Sequence, residues 1–394
     1  MQRREFVGGV AVTSLLGSSA FCAGSTESKF RVGVIGHTGR GDYGHGLDTV
    51  WKRVAETQIV AVADGNEKGL AKAKEKTGAL NGYTDYRKML TEQRPDIVAV
   101  CPRHPDQHAE MAIAAAQAGA KGIYCEKPFV RTPAEADAVI AACEKHGTKL
   151  AVAHRNRYHP AMKTIGKLIA GKAIGRILEI RGRGKGDRRG GGEDLWVLGC
   201  HIFNMINYFA GAPSSCSAVM LQGGRDVVAA DVRPGNEALG PLAGNEIHAR
   251  YEMERGIIAY FDSIANDGTK NQGFGLQIVG SEGRILVQAD LNPVAYLQRG
   301  NPFSPARPNA WEPITSDGVG ESNVDDVSFD LVSHHVTAAQ DLVSAIGSNR
   351  APLCDATQGR TTVEMICAVF DSHRRGGRAV SFPLEERGNP LRKF

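Results

Sequence analysis

The chain has 394 residues, 42% hydrophobic and 23% charged, with a formal net charge of +4. That balance belongs to a globular protein and excludes a low-complexity or collagen-like chain, while the length predicts two domains. So small a net charge gives no footing for a nucleic-acid partner, and past the leader no stretch is apolar for long enough to be a membrane span.

The first 28 residues read as a leader outside the fold. Arg3-Arg4-Glu5-Phe6-Val7 precedes an apolar, small-residue run from Gly8 to Ala23, about the length of a signal h-region. Paired arginines followed by Phe resemble a twin-arginine export signal, which predicts a periplasmic location. Ala20-Phe21-Cys22-Ala23 fits the small-residue cleavage rule poorly, and Cys22 lacks a lipobox. Cysteines after the leader form no C-x-x-C pair, and Cys125, Cys143 and Cys367 sit in apolar patterns, as buried small hydrophobes do. An exported chain without a disulfide framework suits folding before export.

From Phe30 the pattern alternates strand and helix. Runs at Arg31–Ile35, Ile59–Ala63, Ile97–Cys101, Gly122–Cys125 and Lys149–Ala153 read as strands. Helical spacing lies between them, near Leu47–Glu56, Lys68–Lys76, Gln107–Ala118 and Pro133–Lys145. Thr132-Pro133-Ala134-Glu135 is a helix start: a capping threonine, proline at the first turn and an acid within it. This alternation predicts a parallel, doubly wound sheet over residues 29–154.

After His159-Pro160 the pattern changes. A helix at Ala161–Ala170 is followed by a strand at Ile174–Arg183, a glycine-rich loop and a helix around Gly199–Phe209. Strands then accumulate at Ser217–Leu221, Glu246–Met253, Gly256–Ser263, Gly275–Val279 and Arg284–Val287, with hairpin turns at Met253–Gly256 and Gly280–Gly283. Residues 155–386 are therefore expected to form an α+β domain on a large, mostly antiparallel sheet. Helices near His335–Ile346 and Gln358–His373 close it, and 387–394 form a tail. The basic run Arg181, Arg183, Lys185, Arg188 and Arg189 reads either as a solvated strand end or as a rim attracting an anionic substrate.

Three stretches carry chemistry. The first strand runs into Gly36-His37-Thr38-Gly39-Arg40-Gly41, a turn whose glycines let backbone approach a pyrophosphate beside helix N-terminal amides. Spacing puts the fingerprint glycines at Gly36, position 38 and Gly41; position 38 is Thr38, with Gly39 beside it. The second strand ends at Asp64, where a carboxylate can accept both ribose hydroxyls and repel a 2′-phosphate, which favours NAD over NADP. Asp64 could instead cap the following helix. In Gly122-Ile-Tyr-Cys-Glu126-Lys127-Pro128 a buried strand ends in a carboxylate, an ammonium and a proline, at the edge where open α/β sheets bind ligands. An isolated Glu–Lys pair there also reads as a surface salt bridge.

In order, the glycine-rich turn, the acid after the second strand, Pro102…His108, Ala118-Gly119, Cys125-Glu126-Lys127-Pro128 and Arg157-Tyr158-His159-Pro160 resemble the glucose–fructose oxidoreductase/inositol dehydrogenase (Gfo/Idh/MocA) family. The similarity runs from about Phe30 to Phe382-Pro383-Leu384. It implies a Rossmann domain that binds NAD and a C-terminal domain that binds a sugar or polyol and pairs through its sheet as a homo-oligomer. Glu126 and Lys127 would lie by the nicotinamide, with Lys127 bonding the hydroxyl being oxidised and His201 of Gly199-Cys200-His201 as acid/base. Gly36, His37, Thr38, Gly39, Arg40, Gly41, Asp64, Cys101, Pro102, His104 and His108 complete the implied cofactor contacts. Arg157 and Tyr158 join Lys127 and His201 toward substrate. Taken alone, an imidazole suits proton exchange near neutral pH, while a His beside Ile202 and Phe203 suits packing equally. The family's aspartates four residues before this His and three after it are Val197 and Asn204 here. Asp194, seven residues before it, is expected on the same helix face as an orienting, catalytic or substrate-binding carboxylate. No metal-ligand spacing is present.

The implied reaction is hydride exchange with a carbinol carbon. For an exported enzyme the cofactor is expected to be bound tightly and recycled in place. Two other readings stay open: an NAD-dependent glycosidase acting by transient oxidation and elimination, and a degenerate, non-catalytic sugar-binding member.

Overall fold

The computed structural model describes residues 29–269, 272–304, 309–320 and 326–394. The expected leader and export signal, residues 1–28, lie outside the described residues. Six strands form an all-parallel sheet in the order β3-β2-β1-β4-β5-β6. They are β1 (Phe30–Ile35), β2 (Thr57–Ala63), β3 (Asn81–Tyr83), β4 (Ile97–Val100), β5 (Gly122–Cys125) and β6 (Lys149–Val152). Burial on both faces requires near-continuous apolar runs, and every residue of β4 and β5 is buried. Helices α1 (Glu67–Thr77), α2 (Tyr86–Gln93), α3 (His108–Gln117) and α4 (Pro133–His146) flank the sheet. The Thr132 hydroxyl accepts from the Glu135 amide at 3.1 Å and caps α4. Neither β3 nor α2 has an apolar signature: the strand has no buried residue, and the helix buries only Met89 and Leu90.

The first crossover departs from expectation. In place of a helix over Leu47–Glu56, turns lead into a short 3-10 helix at Val50–Arg53. Gly39, Gly41, Gly44 and Gly46 all take positive φ, a conformation that right-handed helix excludes. The glycine-rich turn is therefore not backed by an α-helix N-terminus.

The second domain begins with α5 (Ala161–Ala170), β7 (Ile177–Arg183), α6 (Gly192–Val197), α7 (Gly199–Ala210) and β8 (Pro213–Gln222). Short strands β9 (Arg225–Asp226), β10 (Arg233–Pro234) and β11 (Pro241–Leu242) follow. Then come β12 (Glu246–Met253), β13 (Ile258–Ile264), β14 (Gly275–Gly280), β15 (Gly283–Gln288), β16 (Ala295–Arg299) and β17 (Glu312–Ile314). With β18 (Val380–Ser381) they build a sheet in the order β17-β16-β15-β14-β7-β13-β12-β8-β18, β9 pairing with β8. All these pairs are antiparallel except β7–β13. Strand β13 alternates buried Ala259, Phe261 and Ser263 with half-buried neighbours, as a one-sided sheet does.

The closing helices tie the halves together. After α8 (Asp326–Ser333), α9 (Val336–Gly347) returns to the first sheet. Its Val336, Ala339 and Leu342 share a core with Val32, Val34, Trp51 and Tyr124. Helix α10 (Ala356–Arg374) packs on β8, α7 and α4. The residues read as a tail are docked: Leu391 is buried, and Arg387 donates to Asp137 at 3.0 Å from Nε.

Candidate active site

The carboxyl end of β5 opens onto a cavity of about 240 Å³ between the two domains. Lys127 and His201 both line it, with His45, Arg103, Arg155, Lys185, Arg189, Glu237, Asp290 and His335. Lys127 is 7% exposed, and its Nζ donates to the Val197 carbonyl at 3.2 Å. One of three ammonium hydrogens is thus spent on the protein, and two remain for a ligand. The position where family members carry aspartate therefore meets Lys127 through its backbone. Glu126 beneath is fully buried; one oxygen accepts its neighbour's amide at 3.0 Å and the other meets His45 Nδ1. Burial would raise this carboxyl, but the hydrogen bond and charge of His45, then Lys127 and His335, outweigh it and hold it at about 2.

His201 sits in the first turn of α7, where the chain breaks direction at Leu198. Its ring meets His154 edge-on at 5.5 Å, and its Nδ1 has no partner among the described residues. Burial, then Lys127, His154 and Arg155, keep its pKa well below 6.5. The imidazole is therefore neutral near pH 7. Burial likewise pushes His154 and His335 down to about 3. His335 is held by the Tyr124 hydroxyl of β5 at 2.7 Å.

A second slot, about 190 Å³, lies at the ends of β1 and β2, lined by Gly36, His37, Asp64, Gly65, Tyr86 and Gln107 among others. Open α/β sheets bind the adenosine half of a dinucleotide at such strand ends, and Gly36, His37 and Asp64 line this one. Between slot and cavity the glycine-rich turn folds over the strand ends. Asp64 is 1% exposed and accepts from Thr38 Oγ1 at 2.6 Å, Tyr43 Oη at 2.8 Å, the Asn66 amide at 2.9 Å and the Thr38 amide. Those donors fill the roughly four lone-pair sites of a carboxylate. The Tyr43 ring also covers Gly36, 2.0 Å from where a Cβ would stand. Ribose hydroxyls reach Asp64 only in exchange for Tyr43 or Thr38. The cap of α1 is Asn66, whose side chain accepts from the Gly69 amide, so the helix-cap alternative for Asp64 does not hold.

Other expected site residues are placed elsewhere. Arg157 stacks its guanidinium 3.3 Å over Tyr208, and the Tyr158 hydroxyl donates to Asp341 at 3.2 Å; both line a separate cavity. They share a 3-10 turn, Arg155–Tyr158, with Arg155, which lines the active cavity while these two line the other. Asp194 is fully buried and does not line the cavity; it accepts from Ser263 Oγ at 2.6 Å. Burial raises its pKa, partly offset by Ser263 and the Lys185 amide. It braces the loop that carries Lys185 and does not reach His201's neighbourhood in the cavity. His108 is fully buried, bonding the carbonyls of Pro102 at 2.7 Å and of Pro128 and Phe129 at 3.0 Å. Cys101 is buried beneath Gly44, and Arg40 pairs with Asp106. His104 flanks Gly41 and, like Pro102, lines neither cavity.

The sequence reading missed His45, Arg103, Arg155, Glu237, Asp290 and His335. Arg155 follows β6 closely, so the strand-end rule that marked Lys127 marks it too. Asp290 and His335 stand far along the chain with no local signal.

Residues 30–154 match the NAD-binding Rossmann fold of the oxidoreductase family GFO_IDH_MocA, and 152–382 match its C-terminal alpha/beta domain. The chain belongs to the Gfo/Idh/MocA oxidoreductase family. It is 30% identical over 261 residues to levoglucosan dehydrogenase of Pseudarthrobacter phenanthrenivorans, covering 60% of this chain and 66% of that one. Identity to myo-inositol 2-dehydrogenase of Thermotoga maritima is 29%, over 46% of this chain and 55% of that one. Identity to D-apiose dehydrogenase of Paraburkholderia graminis is 35%, over 32% and 33%. The matches thus span about one to two thirds of these relatives' lengths. Among solved structures, levoglucosan dehydrogenase with NADH and L-sorbose superposes at a TM-score of 0.72, covering 91% of this chain and 100% of that one at 21% identity. The Gfo/Idh/MocA fold is shared over nearly the whole chain.

Proposed function

We propose that this protein is an NAD-dependent oxidoreductase acting on a sugar or polyol derivative. The observation that carries this reading is that Lys127, from the first domain, and His201, from the second, line one cavity. Bound NAD supplies or accepts the hydride at the carbinol carbon. Lys127 donates its free hydrogens to the reacting oxygen, and neutral His201 takes the hydroxyl proton. Glu126, ionised and fully buried, holds the opposing charge beside the ammonium. Similarity to levoglucosan and inositol dehydrogenases supports a polyhydroxylated substrate.

Gly36, His37 and Asp64 would hold the adenosine half, with NAD preferred over NADP because a carboxylate repels a 2′-phosphate. The test is to identify the nucleotide bound to the purified protein by native mass spectrometry. A sugar and polyol panel is then followed through nicotinamide absorbance. Absorbance change with at least one member supports the reading; none, with NAD bound, sinks it.

Export and self-association extend the proposal. The seven cysteines described are all unpaired and buried, which suits a chain folded before translocation. Replacing Arg3 and Arg4 by Lys should retain the protein in the cytoplasm, and unchanged export would remove the twin-arginine reading. Sedimentation of the purified chain should show an oligomer formed through the second sheet; a monomer at working concentration rejects that part.

A further inference from the structure

We propose that the cavity is built for a polyhydroxylated substrate carrying a carboxylate, a sugar acid of the uronate or aldonate class, anchored by Lys185 and Arg189. This rests on the oxidoreductase reading of the same cavity, where Lys127 and His201 act. Five cationic side chains line the cavity, Arg103, Lys127, Arg155, Lys185 and Arg189, against two carboxylates, Glu237 and Asp290. Asp290 is shared: Arg155 donates to it at 2.9 Å, and Lys185 Nζ stands off at 4.0 Å. At that separation Lys185 makes no hydrogen bond to Asp290; its ammonium lies 5.1 Å over the Phe274 ring and has no hydrogen-bond partner among the described residues. Arg189 grips Asp187 through Nε and Nη2, and its Nη1 has no protein partner among the described residues. Arg103 is 3.6 Å from Glu237. Of the histidines on the cavity, His201 and His335 add no charge near pH 7 because burial keeps them neutral, and His45 is taken up by Glu126.

The loop between β7 and α6 is fixed tightly enough to aim these donors. A Cβ on Gly184 would stand 1.6 Å from the Asp194 carboxylate, and one on Gly190 would stand 2.1 Å from the Ala265 amide. Asp194, buried and bonded to Ser263, braces this loop from below. A neutral sugar would desolvate Lys185 with only the shared Asp290, 4.0 Å away, as counter-charge, and would leave the Nη1 of Arg189 unmet beside Asp187, which is costly. A carboxylate accepts both through charge-assisted hydrogen bonds. A cavity of about 240 Å³ lies below the roughly 300 Å³ of drug-sized pockets, so one sugar ring is the natural occupant. The cofactor's pyrophosphate is the other anion available, but it belongs beside the glycine-rich turn in the first domain.

The experiment is calorimetric titration of the full, NAD-saturated protein at low salt, which leaves the pyrophosphate site filled. D-glucuronate, D-galacturonate and D-gluconate are each compared with the neutral amide of the same sugar. At least one acid should bind about tenfold or more tightly than its amide. In the Lys185→Gln/Arg189→Gln double variant that preference should fall to about twofold or less. Equal affinity of acids and amides, no binding by any acid, or a preference that survives the double change overturns the proposal. NAD binding confirms that the variant is folded. If it is not, the single substitutions are read instead, each expected to lose about threefold in acid affinity; no loss in either counts against the proposal. Nicotinamide absorbance is recorded with the same compounds. Reduction by a neutral polyol without acid binding leaves the oxidoreductase reading standing and removes only the sugar acid. Acid binding with no reduction by any compound does the reverse.

Discussion

The Tyr43 hydroxyl donates to the Asp64 carboxylate at 2.8 Å, and its ring covers Gly36 in the slot at the ends of β1 and β2. On the proposed reading a ribose hydroxyl would compete with this phenol for the same oxygen. Cofactor binding exchanges one hydrogen bond for another, and the net gain from Asp64 is small. Tyr43→Phe removes the competitor and keeps the ring. NAD affinity should rise about fivefold, corresponding to one net hydrogen bond of about 1 kcal/mol. Fluorescence titration with NAD reads this, and an unchanged or weaker affinity counts against the exchange.

Asp64 therefore has a structural load besides any cofactor contact. Asp64→Ala leaves the Thr38, Tyr43 and Asn66 donors without their acceptor. The cofactor-free protein should lose about 3 kcal/mol of stability in urea unfolding. The same change should narrow the preference for NAD over NADP. A residue that met only ribose would leave the cofactor-free midpoint unmoved.

Much of this molecule is legible in its sequence, because burial writes itself as period and length. The strands β4 and β5 read as unbroken apolar runs since both faces are covered, and β13 alternates since one face is not. Thr132 and Pro133 announce α4 through local capping chemistry. Glu126 and Lys127 are legible because they end a buried apolar strand, which sets both charges at the sheet edge where ligands bind. What failed was set by tertiary contact. Nothing local says that Arg155 and Arg157, two residues apart, face different cavities, or that Asp194 turns inward to Ser263. In place of the helix expected over Leu47–Glu56 stand turns and a short 3-10 helix at Val50–Arg53, a choice that its apolar spacing does not announce.

Acid should weaken the protein through its buried imidazoles. His154 and His335 have folded-state values of about 3 against an ordinary 6.5. Below pH 6.5 the unfolded chain takes up protons that the folded protein refuses, so stability falls as pH falls, down to about 3. Each contributes about 1.4 kcal/mol per pH unit, or about 3 kcal/mol for the pair. His201 acts in the same sense. Glu126, held at about 2, adds a loss below its ordinary 4.5. Urea midpoints should drop steadily from pH 6.5 to 5, and His154→Asn should flatten that slope. A level profile would show that these rings are solvated.

Arg155 and Arg157 separate the observed placement from the one the sequence suggested. Arg155→Gln should weaken substrate binding about tenfold by removing a charge from the cavity wall and releasing Asp290. Arg157→Gln, remote from that wall, should leave KM unchanged while lowering stability through its lost stacking on Tyr208. Steady-state kinetics beside thermal unfolding distinguishes the two, and the opposite pattern would return Arg157 to the substrate.

Lys127→Met tests the centre of the account, because it keeps the apolar stem and removes only the ammonium. Its Nζ meets the Val197 carbonyl at 3.2 Å and lines the cavity away from the adenosine slot. NAD should bind the variant with unchanged affinity. The decisive measurement is single-turnover reduction of the bound cofactor by an active sugar substrate. The rate should fall by about a hundredfold or more, the usual cost of losing a positioned charge or proton partner. Reduction at the original rate would contradict the role given to Lys127 and, with it, the proposed reaction.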